Sequence, residues 1–316
     1  MSSDRRDIQI MDASLCGLPL ENADAQAVRA YYASLLALGV AYVQIPLGLL
    51  PLLGTTADPG RTVLDVPAGC VEVLPGFAAY LSAQPGMPGR TICECDMRSK
   101  PPPFADERCQ TAGNELFFRD YTDLLELLAG DLDTAFCPRN AGELGTALAV
   151  EWLLAGGQRL TSGFMGVGGY APLEEVLAAL HVYRLLPEAV KLDRLRHVSE
   201  AYQQLTGQGI PAHKAVVGSA LFDVESGVHV DGIAKNRQCY EPFAPEAVGA
   251  QRRIVIGKHS GKQALRVKLE ELDIAGACDL VSLLELVREE SMRIGGALDD
   301  SAFAVLVKQV KGGDAA

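Results

Sequence analysis

Between residues 8 and 183 the chain alternates short strand-like runs with stretches of helical periodicity, and this limits the fold more than any other feature. Ile8-Gln9-Ile10-Met11-Asp12 has the period of a strand. Asn22 or Asp24 can cap a helix whose apolar positions Val28, Tyr31, Leu35 and Leu38 recur at helical spacing, and Gly39 stops it. A second apolar strand covers 40–45, and further strand-like runs cover 90–95, 116–118, 134–136 and 159–164. Helical patterns lie at 143–155, with Leu144, Leu148 and Trp152 on one side, and after Pro172, with Leu173, Val176, Leu177 and Leu180. Strands joined through helices pair in parallel, and a parallel sheet is covered by those helices. The expected fold class is α/β, either an open parallel sheet or a closed barrel.

Near Pro187 the pattern changes. Residues 188–205 read as an amphipathic helix (Leu195, Val198, Tyr202, Leu205) with no strand directly after it. A loop-rich segment follows over 207–261, and two further helical patterns run to Lys311. The expected division is a barrel over 1–187 and a linker with a mainly helical accessory region over 188–316.

Forty acidic against 28 basic residues give a net charge of −12. That balance leaves no basic face for a nucleic-acid partner. The longest apolar stretch, 40–54, is interrupted by Pro46 and Pro51 and is too short for a bilayer. No apolar segment follows the charges of residues 4–7, so no leader is expected. Eight cysteines then read as reduced thiols and the location as cytoplasmic. Cys93 and Cys95 fall on one face of a strand without the paired C-x-x-C of a zinc site, so buried thiols are expected. Gly166-Val167-Gly168-Gly169 reads as a tight turn after a strand, lacking the P-loop lysine and the third glycine of a dinucleotide fingerprint. The five histidines stand at 181, 197, 213, 229 and 259, which excludes any His-x-His metal pair.

Three glycine-punctuated segments carry the strongest signal: 225–232 (Glu-Ser-Gly-Val-His-Val-Asp-Gly), 240–249 (Tyr-Glu-Pro-Phe-Ala-Pro-Glu-Ala-Val-Gly) and 255–261 (Val-Ile-Gly-Lys-His-Ser-Gly). Loop backbone that must bend tightly, beside His229, Tyr240 and His259, marks a candidate site. In order and spacing these segments resemble the S/A-G-I-H-x-D-G, Y-x-x-x-D-P-x-x-V-G and G-K-H-S-G motifs of the homocitrate synthase and 2-isopropylmalate synthase family. The likeness is nearest to the nitrogenase-associated homocitrate synthases and extends back to the first strand. It implies a TIM-type (β/α) barrel followed by a mainly helical accessory region. The interval from Gln44 to Cys137 is short for the family, so one or more β/α units are expected to be reduced. It further implies a Claisen condensation of acetyl-CoA with a 2-oxo dicarboxylate, in which a divalent metal polarises the keto group and an arginine stabilises the enolate.

The barrel motifs depart from that pattern. Asp12-Ala13-Ser14-Leu15-Cys16-Gly17 stands where the family has D-T-T-L-R-D, so the arginine position is Cys16 and the metal-binding aspartate position is Gly17. Gln44 replaces an acidic residue, and Cys137-Pro138-Arg139-Asn140 replaces H-x-H-N. Summed over these positions, the family site with its dication carries +1, and here Arg139 alone supplies +1. The resemblance therefore implies His229 and Tyr240 as the proton-handling pair, and Arg139 and Asn140 as contacts to an organic acid. It leaves no metal ligands, and no cofactor is expected. A thiolate site from Cys16, Cys95 and Cys137 is the remaining route to a metal. Two functions stay open: an acyltransferase in its own right, or a non-catalytic homologue that binds an organic acid or pairs with a complete synthase subunit. Expected partners are an organic acid, acetyl-CoA, and a second subunit in a homodimer or heterodimer.

Overall fold

The computed structural model describes residues 7–20, 23–96, 103, 105–112, 121–131, 133–225, 227–275 and 278–313. The chain forms two compact units, Met1–Gly218 and Ser219–Ala316. In the first, eight parallel strands follow one another around a closed barrel: β1 (Gln9–Asp12), β2 (Tyr42–Pro46), β3 (Thr62–Asp65), β4 (Ala79–Leu81), β5 (Thr91–Asp96), β6 (Glu107–Ala112), β7 (Thr134–Pro138) and β8 (Arg159–Ser162). Closure is made by β1, which pairs with β2 on one side and β8 on the other. The helices of this unit are α1 (Ser14–Gly17), α2 (Ala25–Leu38), α3 (Leu50–Leu53), α4 (Tyr121–Ala129), α5 (Gly145–Leu154), α6 (Leu173–Tyr183) and α7 (Leu195–Thr206).

The expected shortening takes a definite form. No strand is lost, but the connections 66–78 and 82–90, on either side of β4, contain no helix. The expected strand at 116–118 lies outside the described residues, and the sixth strand is β6, whose Glu-Arg-Cys-Gln-Thr-Ala sequence has no apolar alternation. Of the two candidate caps for α2, Asp24 accepts from the Ala27 amide at 2.8 Å, while Asn22 lies outside the described residues.

The barrel unit continues well past residue 187. Gly39, at φ +97°, ends α2 against the backbone of Ala189, where a Cβ would meet the Ala189 carbonyl at 2.0 Å. The Lys191 amide donates to the Leu38 carbonyl at 2.8 Å. From α7, Tyr202 packs on Tyr31 and Phe164, with ring centroids 5.9 and 5.5 Å apart. The amphipathic helix expected at the start of the accessory region is thus a barrel helix, because its apolar face is buried on α2.

Met11, Val63, Ala79, Ile92, Cys109 and Ala135 fill the barrel interior. At its N-terminal end Glu107, 6% exposed, is ion-paired with both Arg90 and Arg159. Alternation along β5 puts Ile92 and Glu94 inside and Cys93 and Cys95 outside, where both thiols are buried as expected.

The second unit has its own core of Ile256, Leu265, Leu283, Val287, Phe303 and Val307. These come from α9 (Lys262–Glu271), α10 (Leu280–Ile294), α11 (Asp300–Gly313) and the strand-like residues around β10 (Arg253–Ile254), which pairs in parallel with β9 (Asp223–Val224). A further helix, α8 (Gly227–Lys235), carries His229, which the sequence reading placed in a loop. Among the described residues no helix is long and apolar enough to cross a membrane.

Candidate functional site

Ligands of β/α barrels sit at the C-terminal ends of the strands. Here part of that mouth is taken up by the chain's own backbone. The segment 163–170, which contains the tight turn expected at 166–169, folds over α1. A Cβ on Gly17 would lie 2.6 Å from the N and Cα of Gly168, a separation no side chain can occupy. The position at which the resemblance implies a metal-binding aspartate therefore has backbone packed against it.

Two buried carboxylates keep this segment in place. Asp12 accepts from the Ser14 amide at 3.0 Å, the Ser14 hydroxyl at 2.5 Å and the Phe164 amide at 2.8 Å. Burial raises its pKa to about 6 against these bonds. Glu174, at the start of α6, accepts from the Met165 amide at 2.8 Å and pairs with Lys214 at 2.9 Å. Met165 has φ +59°, a left-handed conformation unusual for a residue with a side chain, and the Glu174 bond holds it there.

Arg139 follows β7 and reaches over the mouth. Its Nη2 donates to Glu94 Oε1 at 2.7 Å and its Nη1 to the Gly168 carbonyl at 3.3 Å. The guanidinium lies 4.6 Å from the ring centroid of Tyr170, whose side chain joins the interior cluster. Beside this group, Asp65 accepts from Gln44 Nε2 at 3.3 Å and from the Cys16 thiol. Burial lifts the Asp65 pKa, with Glu94 adding to the effect. Burial also lifts the Cys16 thiol far out of the nucleophilic range.

Counting these neighbours changes the charge of the mouth. Asp65 and Glu94 stand beside Arg139, so these three groups sum to −1 where the motif positions gave +1, and Asp12 adds a further buried carboxylate nearby. Asn140 does not face the mouth with its oxygen: Oδ1 accepts from the Gly145 amide at 3.0 Å, at the start of α5. The divalent metal implied by the resemblance does not fit these residues. The positions at which the resemblance implies its ligands are Gly17, Cys137 and Arg139, and among the described residues no group of three His, Cys, Asp or Glu side chains is placed to hold a metal ion. Cys95 faces outward while Cys137 faces inward, which removes the thiolate alternative.

In the second unit His229 and Tyr240 do meet. Their ring centroids are 5.6 Å apart at 60°. Gly232, one turn after His229 on α8, leaves the space that Tyr240 uses, since a Cβ there would lie 2.2 Å from the phenol. Both rings are exposed, Tyr240 at 44%. The third motif supports this helix from below. Glu225 Oε1 accepts from the His259 amide at 2.8 Å, Ser260 Oγ donates to the Glu225 carbonyl at 3.3 Å, and the Gly257 amide donates to Ser260 Oγ at 3.0 Å. A Cβ on Gly257 would collide with the Glu225 carboxylate at 2.5 Å. The segment 255–261 is thus the brace for the start of α8, and His259 contributes its backbone. Arg252 closes the assembly with a bidentate pair to Glu241, at 2.7 and 2.6 Å.

Residues 216–284, which contain this brace, the His229–Tyr240 pair and the Arg252–Glu241 clasp, match the family described as homocitrate synthase post-HMGL domain-like. Over about half of its length the chain is similar to homocitrate, citramalate and 2-isopropylmalate synthases. It is 37% identical over 159 residues to the homocitrate synthase omega subunit of Clostridium pasteurianum, covering 50% of this chain and 45% of that protein. It is 35% identical over 172 residues to the (R)-citramalate synthase CimA of Methanocaldococcus jannaschii, covering 54% and 35%. The chain thus spans less than half the length of these curated relatives. Among solved structures, the HMG-CoA lyase of Brucella melitensis aligns over 64% of this chain and all of its own, at 13% identity and a TM-score of 0.46.

Five residues of the barrel site were not visible from motif positions. Asp12 stands in the first barrel motif and Glu174 on a helix read only for its apolar face, and the hold of both on segment 163–170 depends on tertiary contact. Asp65 and Glu94 lie on strands without a motif, and Lys214 lies in a segment with no periodic pattern. The one usable signal was an acidic residue at the C-terminal end of a barrel strand, which applies to Asp65 once β3 is recognised.

Proposed function

We propose that this relative of the acetyl-CoA-condensing acyltransferases has a non-catalytic barrel and acts as a partner subunit to a complete synthase, offering it His229 and Tyr240. The observation that carries the reading is the Gly168 backbone lying against Gly17, which leaves no room for a ligand side chain at that position. The Arg139–Glu94 pair supports it, because the cation closest to the mouth already has a carboxylate. The exposed His229–Tyr240 pair supports it from the other unit, since a histidine and a phenol in contact can pass a proton to a substrate held elsewhere. One similar protein is named as an omega subunit, which fits a chain that works in a mixed assembly.

The purified chain is expected to release no thiol from acetyl-CoA with 2-oxoglutarate or 2-oxoisovalerate, with or without Mg²⁺ or Mn²⁺. Loss of a single oxyanion-type donor costs roughly 100-fold to 1000-fold in rate. Co-expressed with a catalytically complete paralogue, the chain is expected to co-purify with it, and His229→Ala is expected to lower the paralogue's turnover. Thiol release at the rate of an ordinary synthase refutes the non-catalytic barrel. A homodimer alone, with the paralogue indifferent to His229→Ala, refutes the partner role.

A further inference from the structure

We infer that Glu94 is the chain's own occupant of a carboxylate site on Arg139, and that it keeps free organic acids out of the barrel mouth. The inference rests on the reading of the barrel as non-catalytic and names what fills it. Glu94 sits on β5 and Arg139 just after β7, so their 2.7 Å contact crosses the mouth above the intervening strand. The guanidinium is fixed on two sides, one edge on the Gly168 carbonyl and one face on Tyr170. Its remaining edge is aimed at Glu94. A planar cation held in this way is a preorganised donor for a carboxylate, whichever molecule supplies it.

Two features make Glu94 a replaceable occupant rather than a core residue. Its side chain is 41% exposed, so truncation opens a water-filled gap beside Arg139 and leaves no buried void. Its charge is also the one that turns the mouth acidic, because Asp65 stays in place beside it. Without Glu94 the mouth loses one negative charge, and a soluble carboxylate can take the vacated edge.

The test is titration calorimetry with malonate and with 2-oxoglutarate on the full chain. Glu94→Ala is expected to bind at least one of them tenfold or more tightly than the wild type, and Glu94→Ala/Arg139→Gln is expected to lose the gain. Glu94→Gln, nearly isosteric, is expected to show a smaller gain in the same direction and carries the test if the alanine variant does not fold. No gain in a folded Glu94 variant overturns the inference, as does a gain that survives Arg139→Gln. Both outcomes are independent of thiol release and of co-purification, which test the non-catalytic and partner readings.

Discussion

Asp12 is a carboxylate with three hydrogen-bond donors and no solvent. Its native pKa of about 6 exceeds the ordinary 3.8, so the folded state holds the proton more tightly than the unfolded chain does. Between those values the native state binds the extra proton, and linkage makes stability fall as pH rises through the interval and level off above it. At 1.36 kcal/mol per unit the full effect is roughly 3 kcal/mol. Asp12→Asn does not titrate, so the stability advantage of the wild type over this variant is expected to shrink between pH 4 and pH 6. Urea unfolding of both proteins across that range measures it, and a constant gap would contradict the burial argument. Glu94 shows how a residue of this kind escapes a sequence reading. Between Cys93 and Cys95 it belongs to no motif, and only the register of β5 in the closed barrel turns it toward Arg139.

Segment 163–170 and α6 behave as one element because Glu174 ties them together. Glu174 is fully buried, and Lys214 is the cation that neutralises it. Lys214→Met is expected to destabilise the barrel toward the lower end of about 3–5 kcal/mol, since it leaves a buried charge without its partner. The double variant Lys214→Met/Glu174→Gln is expected to recover part of that loss, which a double-mutant cycle in urea reads directly. Elements whose periodicity was clear, such as α2, α6, β2 and β8, were legible in the sequence because their apolar faces are buried in the way their spacing predicts. The short strands β3 and β4 were not, since three or four residues give no period to read. β6 was missed for a different reason: its Glu107 and Gln110 are buried polar residues, stabilised by partners that lie far away in the chain. The accessory motifs were read well as a family signature but less well as chemistry, because most of 255–261 serves to hold Glu225.

At the scale of the molecule, the unit Ser219–Ala316 has a closed apolar core in which Leu265, Leu283, Val287 and Phe303 are fully buried. A chain of that size with its own core can fold alone. The fragment 219–316 is therefore expected to unfold cooperatively in urea, with the His229–Tyr240 contact retained in its NMR spectrum. A non-cooperative transition would show that the core needs the rest of the chain. In the barrel unit, the two helix-free connections around β4 have a consequence for how the protein could be taken apart. Val71, almost wholly exposed in the first of them, sits on a wall held by loops and by the ladders β3–β4 and β4–β5. A cut there would leave β1–β3 and β4–β8 as two pieces sharing two complete seams, β3–β4 and β8–β1. The barrel thus has a natural split point, suited to circular permutation or to a reporter assembled from halves.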